Sequence, residues 1–246
     1  MSGHSKWANI KHRKGRQDAL RGKLFAKLVK GIEAAARSGG GDPASNASLA
    51  TAIDKAKASS LPADNIERAI KRGIGEVEGA DYEEFYYEGY APGGVAVYVH
   101  VLTDNRNRAS SDVRAAFSRN GGNLGEPGSV AYIFDQKGYF LVEGDEDTVM
   151  LAALDAGAED VKPSEGMFEV ICEPHDFAAV KASLEAAGLR IDTGEVTQLP
   201  NLSVPIDAAT AHKALRLIDA VDDLDDAQEV FGNFDISDEI MAALDV

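Results

Sequence analysis

Lysine and arginine crowd the start of this chain in a pattern suited to holding phosphate. In MSGHSKWANIKHRKGRQDALRGKLFAKLVKGIEAAAR, residues 1–37, ten Lys or Arg stand against two acids, Asp18 and Glu33, a net charge of +8. The whole chain carries −16, so residues 38–246 carry −24. Lys6, Lys11, Arg13, Lys14, Arg16, Arg21, Lys23 and Lys27 are candidates to neutralise phosphates. Trp7, the single tryptophan, stands among them with His4 and His12, side chains that stack on bases or hydrogen-bond to them. Glycines at 3, 15 and 22 suit an arm that orders on binding. Two plainer readings compete: a solvated helix face with a loose terminus, and a basic amphipathic helix lying on a membrane. The membrane reading ranks last, because the apolar face of the helix is needed to bury its neighbours and Trp7 lies outside that face.

Other chemistry is poorly supported. The five histidines, at 4, 12, 100, 175 and 212, lack metal-ligand spacing. The single cysteine, Cys172, excludes an internal disulfide and a cysteine zinc site, and its strand-like surroundings MFEVICEP imply a buried, inert thiol. GGNLGEPGS lacks the Lys-Ser/Thr of a phosphate loop and follows a helix C-terminus, the wrong dipole end for an anion, so it reads as a turn. No Ser or Cys stands in a nucleophile motif, and no two acids are spaced as an acid–base pair. The expectation is therefore a non-enzyme with no metal and no cofactor. The acidic run DAVDDLDDAQE at 219–229 lacks an EF-hand pattern and reads as a solvated loop. Arg106, Arg108, Arg114 and Arg119 share one helix and either extend a phosphate-binding surface or simply face water.

The elements that must position these groups follow from periodicity. Leu20, Leu24, Leu28 and Ile32, with Phe25 and Val29, form an apolar stripe with Lys23, Lys27, Lys30 and Arg37 opposite. SGGGDP ends that helix. A second helix buries Leu49, Ile53 and Ala56, and a third starts in LPADNIERAIKRG, where Asp64 and Glu67 resemble a capping box and Gly73 supplies the stop. Beyond about Gly75 the pattern changes to strands around a Pro-Gly-Gly turn, with Val95, Val97, Val99 and Val101 on one face. A helix capped by Thr103 or Asp104 follows. Residues 139–199 alternate strands with two helices ending at Gly157 and Gly188, the βαββαβ order of a ferredoxin-like fold. The predicted class is α+β with three domains: a basic helical domain at 1–75, a middle α/β domain at 76–138 plus 200–246, and a ferredoxin-like domain at 139–199 inserted before the C-terminal segment. The chain has no apolar run near the 18 to 20 residues of a membrane span, and its start lacks a secretory h-region, so a cytoplasmic protein without a membrane partner is expected.

GHSKWANIKHRKG, RGKLF, TAIDKAKA, DNIERAIKRG, YEGYAPGGVAV, LTDNRNR, GGNLG, GSVAYIF and VFGNFDIS together resemble the YebC family, in order along nearly the whole chain. The resemblance implies the same three-domain fold and a regulator of gene expression that places nucleic acid at the basic N-terminal region. Bacterial members carry the label of DNA-binding transcriptional regulators; a mitochondrial relative and some bacterial ones point instead to ribosomes and translation. Arg16 and Pro127 depart from the family pattern, adding a charge and stiffening a loop. The expected function is a non-enzymatic nucleic-acid-binding regulator, first as a DNA-binding transcriptional regulator. The alternative is a ribosome-associated RNA-binding translation factor. Its partners would be DNA or ribosomal RNA, with protein partners on the acidic domains.

Overall fold

The computed structural model describes residues 18–164, 166–237 and 239–240, with side chains from residue 22 onward. Residues 133–202 form one compact unit and the remaining described residues another. The architecture is α+β, as the sequence predicts.

Three helices, α1 (Asp18–Gly39), α2 (Ala47–Ala58) and α3 (Ala63–Gly73), share a core of Leu28, Ile32, Ala36, Leu49, Ile53, Ala56, Ile66 and Ala69. Leu24, on the predicted stripe, is exposed instead. Asn46 caps α2, its side chain accepting from the Leu49 N–H at 3.1 Å. Asp64 does not cap α3: Pro62 holds the cap position and its carbonyl accepts from Asn65 and Ile66, which puts Asp64 inside the first turn. Gly73 permits the α1–α3 contact, since a Cβ there would lie 2.5 Å from the Glu33 carbonyl oxygen and 2.6 Å from the Ala36 Cβ.

In the same unit, β1 (Glu83–Ala91) and β2 (Val95–Thr103) form an antiparallel hairpin turned by Gly93 and Gly94, both at positive φ. Beyond α4 (Arg106–Arg119), the short β3 (Asn123–Leu124) pairs with β1 only at Gly89 and Tyr90. After the inserted unit come β8 (Val204–Pro205), α7 (Ala208–Asp222), β9 (Ala227–Gly232) and β10 (Phe234–Asp235). β9 joins β2, giving the sheet order β3-β1-β2-β9. Val95, Val97, Val99 and Val101 all point into the core shared with Val113 and Phe117 of α4 and Leu217 and Ile218 of α7. The cap of α4 is Asn105, whose side chain accepts from the Arg108 N–H at 3.1 Å, one residue beyond the predicted positions; Thr103 instead accepts from the Asn105 N–H.

The 133–202 unit runs β4 (Phe134–Glu143), α5 (Glu146–Asp155), β5 (Ala158–Ser164), β6 (Met167–Cys172), α6 (Phe177–Ala186) and β7 (Arg190–Pro200). Its wholly antiparallel sheet has the order β5-β6-β4-β7, the arrangement of the βαββαβ fold. Cys172 is fully buried beside Val170 and Val180, as expected, and burial pushes its thiol up to about 11.

Candidate nucleic-acid interface

The spacing 23, 27, 30 puts three lysines on one face of α1, and they do not all look out to solvent. Lys23 Nζ lies 3.2 Å from Asp223 Oδ1, and Lys27 Nζ lies 3.2 Å from Asp222 Oδ1 and 2.6 Å from the Asp222 carbonyl oxygen. Lys30 Nζ donates to Asp226 Oδ1 at 3.0 Å and to the Asp225 carbonyl at 2.8 Å. Because α7 ends at Asp222, its last carbonyls have no intrahelical donor and carry the negative end of the helix dipole. The α1 lysines thus meet both carboxylates and helix-end carbonyls. The acidic run at 219–229 is not the solvated loop that its composition suggests; it clasps the basic helix.

Asp226 anchors the clasp. Its side chain is 7 % exposed and also accepts from Arg108 Nε at 3.1 Å and Nη2 at 2.9 Å. Burial works against its charge, but Lys30 and Arg108 outweigh burial and hold its carboxyl below the usual range. Arg108, itself half-exposed, is thereby tied to Asp226, while Arg106 faces Glu83 at 3.5 Å. Further ties join the bundle to the sheet region: Arg37 pairs with Asp81, Lys55 with Glu229, and the buried Glu33 accepts from the Ala80 N–H at 3.0 Å. Glu229 also faces His100 Nδ1 at 3.9 Å, and Glu84 takes the other ring nitrogen at 2.8 Å. Burial opposes a charge on His100, yet the two carboxylates raise its pKa to about 9.

Of the candidate residues, Lys6, Trp7, Lys11, His12, Arg13, Lys14 and Arg16 lie outside the described residues, as does the side chain of Arg21. Lys23 and Lys27 are described, and both sit in the clasp. Among the described residues no group of His, Cys, Asp and Glu is arranged to hold a metal, and no helix is long and apolar enough to cross a membrane.

With this geometry in place, comparison with known proteins gives matches along both units. Residues 5–76 match the TACO1/YebC protein N-terminal domain, and residues 82–234 match the TACO1/YebC second and third domain. The chain belongs to the TACO1/YebC family. A protein named "Probable transcriptional regulatory protein" from Beutenbergia cavernae is 58 % identical over 250 residues, covering 100 % of this chain and 99 % of the relative. One of the same name from Thermobifida fusca is 57 % identical over 248 residues, covering 99 % and 100 %. The crystal structure of a conserved hypothetical protein from Aquifex aeolicus superposes with a TM-score of 0.85 at 48 % identity, covering 96 % of this chain and 99 % of that one. The YebC-type fold is therefore shared.

Sequence reasoning missed the clasp. Its one local signal was the coincidence of a lysine face at 23, 27, 30 with an aspartate run at 222–226, and some 200 residues separate the two.

Proposed function

We propose that this YebC-family protein is a nucleic-acid-binding regulator of gene expression, gripping its target through the basic segment before Lys23. The supporting observation is the division of charge. Lys23, Lys27, Lys30 and Arg37 each pair with an acid of the same chain, and Lys6, Lys11, Arg13, Lys14, Arg16 and Arg21 are concentrated in the sequence ahead of them in an otherwise acidic chain. Trp7 and His12 lie within that stretch and supply stacking and hydrogen bonding.

The names of the relatives, which speak of transcriptional regulation, favour transcription as the first reading, and DNA is the target that reading calls for. A ribosome-associated RNA-binding factor is the second, favoured by a specific observation. A helix that reads a duplex by sequence needs side chains free to enter the major groove. α1 spends its lysines on the Asp222–Asp226 clasp and α4 spends Arg108 on Asp226. A folded RNA surface is recognised by shape and phosphate, without such a helix. In both readings the protein acts without catalysis, and the acidic domains are left to face protein partners. Ultraviolet cross-linking in growing cells, followed by denaturing purification and sequencing of the attached nucleic acid, tests the proposal. The control is the full chain with Lys11, Arg13 and Lys14 changed to Glu. Promoter DNA lost in the control supports the first reading, ribosomal RNA lost in the control supports the second, and recovery of neither refutes the proposal.

A further inference from the structure

A cleft of about 430 Å³ opens between the flank of α4 and the outer part of β1, closed at one end by the loop around Pro127. Its size lies at the lower end of the range for small-molecule sites, roughly 300–1,000 Å³. Arg106, Ser110 and Arg114 recur every four residues and so line one wall in a row. Phe85 and Tyr87 form the facing wall, their rings edge to face with centroids 5.2 Å apart, and the Arg106 guanidinium lies 4.9 Å from the Phe85 centroid. Arg114 is exposed and makes no ion pair with a described residue.

The open edge of β1 makes this wall receptive to a polar, planar ligand. β3 covers β1 only at Gly89 and Tyr90, so residues 83–87 have a neighbouring strand on one side alone, leaving main-chain donors and acceptors along the cleft edge. Three acids stand at the cleft: Glu83 pairs with Arg106 at 3.5 Å, the exposed Glu126 lines it, and the Glu88 carboxylate accepts from the N–H groups of Gly128 at 2.7 Å, Val130 at 2.7 Å and Ala131 at 2.8 Å, which hold it ionised. The cleft therefore brings together the Arg114 guanidinium, an Arg106 guanidinium that also pairs with Glu83, an aromatic wall and the open backbone edge of β1.

We propose that this cleft holds one unstacked nucleotide of a single-stranded RNA segment. The base lies against Phe85 and Arg106, its edge hydrogen-bonds to the open β1 backbone, and Arg114 takes the adjoining phosphate. A duplex cannot use the site, because its bases are already stacked and paired. The inference rests on the nucleic-acid reading above and adds a contact separate from the basic arm.

The test uses the full-length protein with an eight-nucleotide oligouridine carrying one 4-thiouridine, at low salt. Binding is read by fluorescence anisotropy and the photo-cross-link by peptide mapping. Arg114→Ala, which changes an exposed residue, and Ser110→Trp, which fills the cleft, are each expected to weaken binding about five- to twenty-fold and to remove cross-links in residues 83–88 and 106–114. Arg114→Lys should recover part of the affinity. The Lys11/Arg13/Lys14→Glu chain separates the two ideas. If it too loses affinity while its cross-links at saturation still map to the cleft, both contacts stand. If it binds normally while the cleft variants fail, the arm reading falls and the cleft remains. Unchanged affinity in Arg114→Ala and Ser110→Trp overturns the cleft, as does a duplex that competes as well as the single strand, or a wild-type chain that does not bind the oligomer.

Discussion

Replacing Asp226 by Asn tests whether the clasp holds the bundle on the sheet. The change keeps the shape but removes the charge that Lys30 and Arg108 share. Stripping one partner from a fully buried ion pair costs about 3 to 5 kcal/mol. Here Lys30 is 19 % and Arg108 46 % exposed, so both regain some water, and we expect a loss of about 2 to 3 kcal/mol. For a chain of this size that lowers Tm by about 4 to 12 °C. Asp223→Asn is the internal control. Its pair with Lys23 is 61 % and 49 % exposed, and such pairs contribute about 0 to 1 kcal/mol. Thermal unfolding followed by circular dichroism gives the magnitudes, and amide hydrogen exchange along α1 shows where protection is lost. A cycle adding Lys30→Met should show a coupling of about 1 kcal/mol or more. In 0.5 M salt the Asp226 effect should persist while any Asp223 effect fades. A Tm shift below 1 °C for Asp226→Asn, or equal shifts for the two variants, refutes the reasoning.

Two further outcomes follow from the packing. His100, with a folded pKa of about 9 against an ordinary value near 6.5, stabilises the protein fully below about pH 6.5, and that contribution disappears as pH rises through 9. It amounts to about 3 kcal/mol, so Tm should fall between pH 6.5 and 9, and His100→Gln should flatten the profile; an unchanged profile contradicts the charged ring. Gly73→Ala should destabilise the bundle by about 1 to 3 kcal/mol, because its methyl meets the Glu33 carbonyl and Ala36; a neutral effect on chemical denaturation would show that α1 and α3 can part without cost.

The parts of this fold that depend on local pattern were legible. The alternating valines of β2, the α2 core residues and the βαββαβ order all follow from periods of 2 and 3.6, and burial agrees with each. Capping was less legible where neighbouring residues compete: Thr103, Asp104 and Asn105 all qualify by type, and only the backbone decides for Asn105. Leu24 has the right phase for the stripe, yet it is exposed. Charge was the least legible. A lysine row on a helix and an aspartate run in a loop each look like solvated surface when read alone. Their meeting depends on the whole course of the chain.

That meeting changes what the basic segment can do, and the change is measurable. If all ten cations of residues 1–37 reached phosphate, the log–log dependence of affinity on salt would have a slope of about −7 to −9. Lys23, Lys27, Lys30 and Arg37, held by Asp223, Asp222, Asp226 and Asp81, would take about 3 to 4 off that slope, bringing it to about −4 to −5. Changing Asp222, Asp223 and Asp226 together to Asn releases three lysines and removes three repelling carboxylates. Affinity at low salt should then rise, and the slope should steepen by about 2 to 3. Affinity measured by anisotropy between 50 and 300 mM salt decides it. A wild-type slope near −8 would mean that nucleic acid pulls α1 out of the clasp, and an unchanged slope in the triple variant would mean that the freed lysines do not face the ligand. Only a shallow wild-type slope that steepens in the variant fits a protein that reserves its arm for nucleic acid and uses its first helix to hold itself together.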